Sequence, residues 1–288
     1  MGYKYACADF TYPLLPHDKV IRLIALLGFD GIDVGLFQNR SHIQPSMVFG
    51  DAAKNGRLLK EKTDAAGIAV ADVFLQSDVD FEPMAVNHPD AAIRAEARGQ
   101  FERTLEYAAA CGARHVTGLP GVCFGSEPPG DSCGRAYAEL GWRVEKARAA
   151  GLAYSIEAHL GSISDTPEKA LRLLEQVPGL TLTLDYTHFT KIGVPDADIE
   201  PLIPHATHFH ARGACKGKLQ AVISENTVDY ARIIGLMKKT GYNGFIGVEY
   251  IWMEWENCNR SDNVSESLML VKLMKEAEID HGQSDGEH

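Results

Sequence analysis

Short runs rich in β-branched and aromatic residues alternate with longer stretches whose apolar positions recur every three to four residues, from one end of the chain to the other. That rhythm predicts strands joined by helical crossovers, the pattern of a parallel sheet. Eight strands are predicted, at residues 5–10, 31–36, 68–75, 115–119, 153–159, 180–185, 207–212 and 245–251. The intervening helices carry terminal signals. Asp18 opens one that stops at Gly28, and Thr166 with Pro167 in first position opens another that closes before Pro178 and Gly179. After Pro89, the residues Ile93, Ala97, Phe101 and Leu105 recur every four positions among the charges Arg94, Glu96, Arg98 and Glu102, which marks a buried stripe. Eight strands and eight helices without a Ser/Pro-rich linker predict an α/β fold, a single (β/α)8 TIM barrel over residues 1–280 with a polar tail at 281–288. An open doubly wound sheet fits less well, because no G-x-G-x-x-G follows the first strand. The chain also has no G-x-x-x-x-G-K-S/T loop for nucleotide hydrolysis.

Composition narrows the function classes. At 288 residues the chain is close to the roughly 250 typical of such a barrel. With 45% hydrophobic and 23% charged residues and a mean hydropathy of −0.15, it reads as an ordinary globular protein. No run approaches the roughly 20 apolar residues of a membrane-spanning helix. The net charge of −11 argues against nucleic acid as a partner and favours a small molecule. The start, MGYKYACADF, lacks the basic and apolar regions of a secretion signal, so a cytoplasmic location is expected. Cys7, Cys111, Cys123, Cys133, Cys215 and Cys258 form no C-x-x-C pair and are read as reduced packing residues.

In a barrel the functional side chains project from the C-terminal strand ends. The fifth predicted strand ends in Glu157 and His159, the sixth in Asp185 with His188 beyond, the seventh carries His208, His210 and Arg212, and the eighth leads to Glu249. Period-two alternation, with Leu182, Leu184, Phe209, Val248 and Tyr250 turned toward the helices, aims Glu157, Asp185, His210 and Glu249 at one interior mouth. Three carboxylates gathered there need a cationic partner, because buried like charges repel and each is costly to desolvate. Arg212 supplies one charge. One divalent metal ion held by three carboxylates and an imidazole resolves the remainder, with Mn2+ first and Mg2+, Co2+ or Zn2+ as alternatives. His208 is read as filling the layer below the site, His205 as a helix-end or loop residue, and His159 as either a rim residue or a substrate contact.

The segments IEAHLGSISDTPEKALRLLEQVPGLTLTLDYTHF, HFHARGA and GVEY resemble the xylose isomerase-like TIM-barrel superfamily of sugar isomerases and epimerases. The resemblance covers nearly the whole chain and is strongest over residues 153–250. It implies that Glu157, Asp185, His210 and Glu249 bind one divalent metal and that His188 and Arg212 contact substrate oxygens. The activity implied is a metal-dependent keto-sugar isomerase or epimerase acting through a metal-stabilised enediolate, with Glu157 and Glu249 exchanging the proton. A lyase, decarboxylase or dehydratase, acting on an oxidised, anionic sugar acid at the same site is the alternative.

Two segments bear on the substrate. The stretch after strand seven, ARGACKGKLQAVISEN, is long and carries Lys216 and Lys218, either as a basic lid over an anionic ligand or as solvated loop charges. After strand eight, IWMEWENCNR offers Trp252 and Trp255 as a pocket wall or as a surface between copies, with Arg260 as a further anion contact. A homodimer or homotetramer is compatible with the sequence, in which no interface is legible. An apurinic endonuclease, which needs three zinc ions and a basic groove, and a non-catalytic sugar-binding barrel are the remaining readings.

Overall fold

The computed structural model describes residues 2–284, in which eight parallel strands close into a barrel: β1 Lys4–Ala8, β2 Gly31–Phe37, β3 Ala69–Gln76, β4 His115–Gly118, β5 Ala153–Glu157, β6 Thr181–Asp185, β7 Ala206–Ala211 and β8 Phe245–Val248. Closure is made by β1 against β8, with Lys4 opposite Phe245 and Cys7 opposite Val248. All eight predicted strands are present. The differences fall mainly at C-terminal ends, where the runs predicted to Phe10, His159 and Ile251 stop at Ala8, Glu157 and Val248. There the chain leaves the sheet to build the mouth.

The alternation places Val34, Leu36, Val73, Leu182, Leu184, Phe209 and Ile246, all fully buried, in the layer between sheet and helices. Helix boundaries follow local chemistry. Asp90 caps the helix Ala91–Cys111 by accepting from Ala92 N at 2.7 Å, and Thr166 caps Pro167–Gln176 by accepting from Lys169 N at 3.3 Å. Asp18 lies in the first turn of His17–Leu26, which starts after Pro16. After β6, one long helix is replaced by the short pieces Thr187–Lys191, Asp196–Ile199 and Glu200–His205. Gly193, Pro195, Pro201 and Pro204 interrupt that stretch. The last helix runs Asn263–Ser284, taking in the first residues of the expected tail, and residues 285–288 lie outside the described residues. No helix among the described residues is long and apolar enough to cross a membrane.

One glycine decides whether the interior closes. A Cβ at Gly247 on β8 would sit 2.0 Å from Asp33 Oδ2 and 2.9 Å from His208 Nε2, two groups already held to each other inside the barrel. Gly247→Ala is therefore expected to destabilise the fold by about 1–3 kcal/mol, measured as a lowered urea midpoint at unchanged slope.

Candidate functional site

Strand register brings the ionisable residues to one level. His210 on β7 pairs with Asp185 on β6 and with Gly247 on β8, and Glu249 follows β8 with its backbone N–H donating to Ala211 O at 3.0 Å. On the interior, His210 Nδ1 lies 2.8 Å from Glu157 Oε1 and 3.4 Å from Glu249 Oε2. Arg212 spans the other side, donating from Nη2 to Asp185 Oδ2, with Nη1 3.5 Å from Glu249 Oε2 and Nε donating to Thr187 Oγ1 at 3.1 Å. His188 Nε2 stands 3.5 Å from Asp185 Oδ2. All of these groups are buried.

Burial and mutual charge set their protonation. Burial pushes the Glu249 carboxyl up to about 7 against the pull of His210 and Arg212. Burial would lower the His210 imidazole, but Glu249 and Glu157 outweigh it and hold the group up at about 10. Glu157, which burial would raise, is lowered by the His210 hydrogen bond and charge. His188 is pushed down to about 4 by burial. His210 is thus held protonated between the two glutamates.

A divalent ion fits these donors. Glu157, His210 and Glu249 present an oxygen, a nitrogen and an oxygen within 4.8 Å of one another, with His210 Nδ1 at 2.8 and 3.4 Å from the two oxygens, close to the about 3 Å between neighbouring ligands of a small octahedral cation. Glu249 Oε2 is buried without a hydrogen-bond partner, as is His210 Nε2 on the far side of the ring. Asp185, the fourth predicted ligand, is engaged by Arg212 and by Thr187, whose N–H and hydroxyl donate to Oδ1 at 2.9 and 2.5 Å. It also forms a second potential ligand group with Glu157 and His188.

Above the cluster opens a cavity of about 440 Å3 lined by Glu157, His159, His188, Arg212, Glu249 and Trp252 among others. His159 packs its ring on Phe81, centroids 4.5 Å apart, and forms wall. Trp252 and Trp255 both border the cavity and are partly open to solvent. Lys216 does not line it. The segment after β7 turns back on itself, Lys218 N donating to Cys215 O at 2.9 Å and Gly217 N to Lys191 O at 2.8 Å, which leaves Lys216 exposed against Gly193. Lys218 pairs with Glu225, and Arg260 is exposed and off the lining. The cations that do border the cavity are Arg40, Lys191 and Arg212. Arg40 and Lys191 carry no distinguishing sequence signal, since Arg40 stands in a polar turn and Lys191 at the end of the short helix Thr187–Lys191.

Below the cluster lies a buried polar layer. His208 Nε2 is 3.0 Å from Asp33 Oδ2, His115 Nδ1 is 2.6 Å from Asp72 Oδ1, and the rings of His115 and His208 stack at 5.2 Å. His208 thus fills the layer under the site. Asp33 and Asp72 each interrupt a largely apolar strand, and His115 opens β4, but no local pattern in the sequence pairs them. Asp72, which burial would raise, is brought down to about 2 by the His115 charge and hydrogen bond, and burial lowers His115. Both folded-state values lie below the unfolded ones, so both contributions to stability are full at high pH and lost on acidification. The His115 part fades below about pH 6.5 and the Asp72 part below about pH 4. The urea midpoint is expected to fall between pH 7.5 and 5, and to fall less in His115→Gln.

Known proteins supply the context. No curated protein sequence matches the chain. Among solved structures, an L-ribulose 3-epimerase superposes with a TM-score of 0.77 at 18% identity, covering 99% of this chain and 97% of that one. A 3-keto-D-glucoside 4-epimerase from E. coli superposes at 0.73 and 14%, covering 96% and 100%. A probable 3-DHS dehydratase from Bacillus anthracis superposes at 0.70 and 14%, covering 94% and 98%. At these identities the likeness establishes the barrel and leaves the reaction to the site. The family of xylose isomerase-like TIM barrels matches residues 21–274, nearly the whole closed sheet and its helices. The chain belongs to the xylose isomerase-like TIM barrel family.

Proposed function

We propose that the protein is a divalent-metal-dependent epimerase or isomerase of keto-sugars, with Mn2+ as the ion. The observation that carries this reading is the convergence of Glu157 and Glu249 on His210 Nδ1 at the floor of a single sugar-sized cavity. Glu157, Glu249 and His210 would hold the ion, joined by Asp185 when its pair with Arg212 opens. A divalent ion there supplies Lewis-acid polarisation of the substrate carbonyl.

The chain's own groups account for the proton movements. Removing a proton from the carbon beside the carbonyl requires a base within hydrogen-bond reach, and both glutamates border the cavity. Glu157 takes the proton and Glu249 returns one to the opposite face, which inverts the carbon; return to the neighbouring carbon isomerises instead. Arg212 and His188 orient substrate oxygens, and Arg212 keeps Asp185 ionised. Phe10, Phe37 and Phe81 wall the cavity against bulk water.

The test is product analysis. Mn2+-loaded protein is incubated with a panel of ketopentoses, ketohexoses and oxo-sugar acids, and the products are separated by chromatography. A sugar of unchanged composition supports the proposal. Loss of water or CO2 from a sugar acid replaces it with the lyase reading, and an unaltered panel overturns both.

A further inference from the structure

The cavity carries a positive charge that the proposed reaction does not use. Arg40 follows β2, which in the closed eight-strand order stands across the barrel from β6, while Glu157, Asp185, His210 and Glu249 come from β5 to β8. Its guanidinium donates from Nη2 to Gln76 Oε1 at 2.8 Å and lies 5.2 Å from the centre of the Phe37 ring, and all three residues border the cavity. The planar group is thus aimed by an aromatic face and one amide, which leaves Nε and Nη1 without a protein acceptor among the described residues.

No carboxylate among the described residues pairs with it. Lys191, the other cation at the rim, already pairs with Glu256 and sits over Trp255. Asp80 is an acid on the same lining, but the hydrogen bond that Arg40 makes goes to Gln76. With a divalent ion in place, that ion and Arg212 balance Glu157, Asp185 and Glu249, so the charge of Arg40 is surplus. An oriented guanidinium on the cavity wall, partly open to solvent and without an ion-pair partner among the described residues, is a fork for a planar or tetrahedral oxyanion.

Resting on the keto-sugar reading above, we infer that Arg40 is a specificity residue and that the substrate is a keto-sugar bearing an anionic group, carboxylate or phosphate, at the end remote from the reacting carbons. The anion docks on Arg40 while the carbonyl end lies over the glutamates. Neutral sugars leave the guanidinium unmatched and bind more weakly.

The experiment is calorimetric titration of the Mn2+-loaded protein with D-fructose, D-fructuronate and D-fructose 6-phosphate, repeated with Arg40→Gln, and with Lys60→Gln as a surface-charge control on the helix Ala52–Ala66. Turnover of the same three compounds is followed in parallel. At least one anionic probe is expected to bind about tenfold or more tightly than D-fructose, a preference that R40Q abolishes and K60Q keeps. Which anion shows the larger preference identifies the group as carboxylate or phosphate. Equal binding of all three probes with no effect of R40Q overturns the inference, even where D-fructose is epimerised and the keto-sugar reading stands. Arg40-dependent anion binding without turnover of any probe supports the anion site and counts against the reaction instead.

Discussion

Glu249→Gln is expected to lower kcat/KM by about 10^2- to 10^4-fold while leaving the barrel folded. The carboxylate is removed at nearly constant volume, so the loss reports the proton transfer and metal ligation assigned to it rather than packing. Stability should move the other way in metal-free protein. Glu249 is a buried carboxyl pushed up to about 7 by desolvation, with one oxygen lacking any hydrogen-bond partner. A neutral amide relieves that desolvation, so the melting temperature of metal-free E249Q is expected to equal or exceed that of the parent. Steady-state kinetics and thermal denaturation on one preparation separate the two effects. Near-parental activity, or inactivity explained by unfolding, would remove Glu249 from the chemistry.

Chelation is expected to have an effect of similar size. Dialysis against EDTA should abolish turnover, and added Mn2+ should restore it with one ion bound per chain, counted by elemental analysis. Because the ion binds only the assembled cluster, saturating it to about 100 times its dissociation constant should add about 2.7 kcal/mol of stability. The gain is expected because the protein without metal confines three carboxylates around His210 and Arg212, and it should grow as pH rises because His210 must lose its proton to become a ligand. Full activity after exhaustive chelation would contradict metal dependence.

Much of this was legible in the sequence because the barrel repeats a simple rule. Alternation alone oriented Glu157, Asp185, His210 and Glu249 inward, since the large apolar neighbours Leu182, Leu184 and Phe209 have to face the helices. Register then brought Asp185, His210 and the approach to Glu249 to one height. Less legible were features set by where loops travel. For Lys216 the sequence leaves a basic lid and a solvated loop charge both open, and the tight approach of Ala221 N to Gly213 O at 2.7 Å with the Cys215–Lys218 turn folds its segment away from the cavity, as the second reading requires. Arg40 reads as an ordinary polar loop residue, and only the path after β2 carries it back over Phe37 to the mouth. The pairing of Asp185 with Arg212 was equally hidden, because strand periodicity places both inside without saying which neighbour each chooses.

The lower layer shows a related limit. Asp33 and Asp72 sit in strands whose neighbouring residues are apolar, and their burial depends on His208 and His115 arriving from β7 and β4. Such pairs are long-range contacts that no local pattern encodes. Gly247 belongs with them, since its lack of a side chain is what leaves room for Asp33.

The most direct measurement is NMR in D2O of Mn2+-loaded protein with the keto-sugar or keto-sugar acid that the panel shows to be turned over, with E249Q as the blank. Proton abstraction by Glu157 and return through Glu249 require solvent deuterium at the carbon beside the carbonyl, in the new epimer or isomer and absent from the blank. A product formed at full rate with no deuterium at that carbon, or with E249Q as active as the parent, would contradict it.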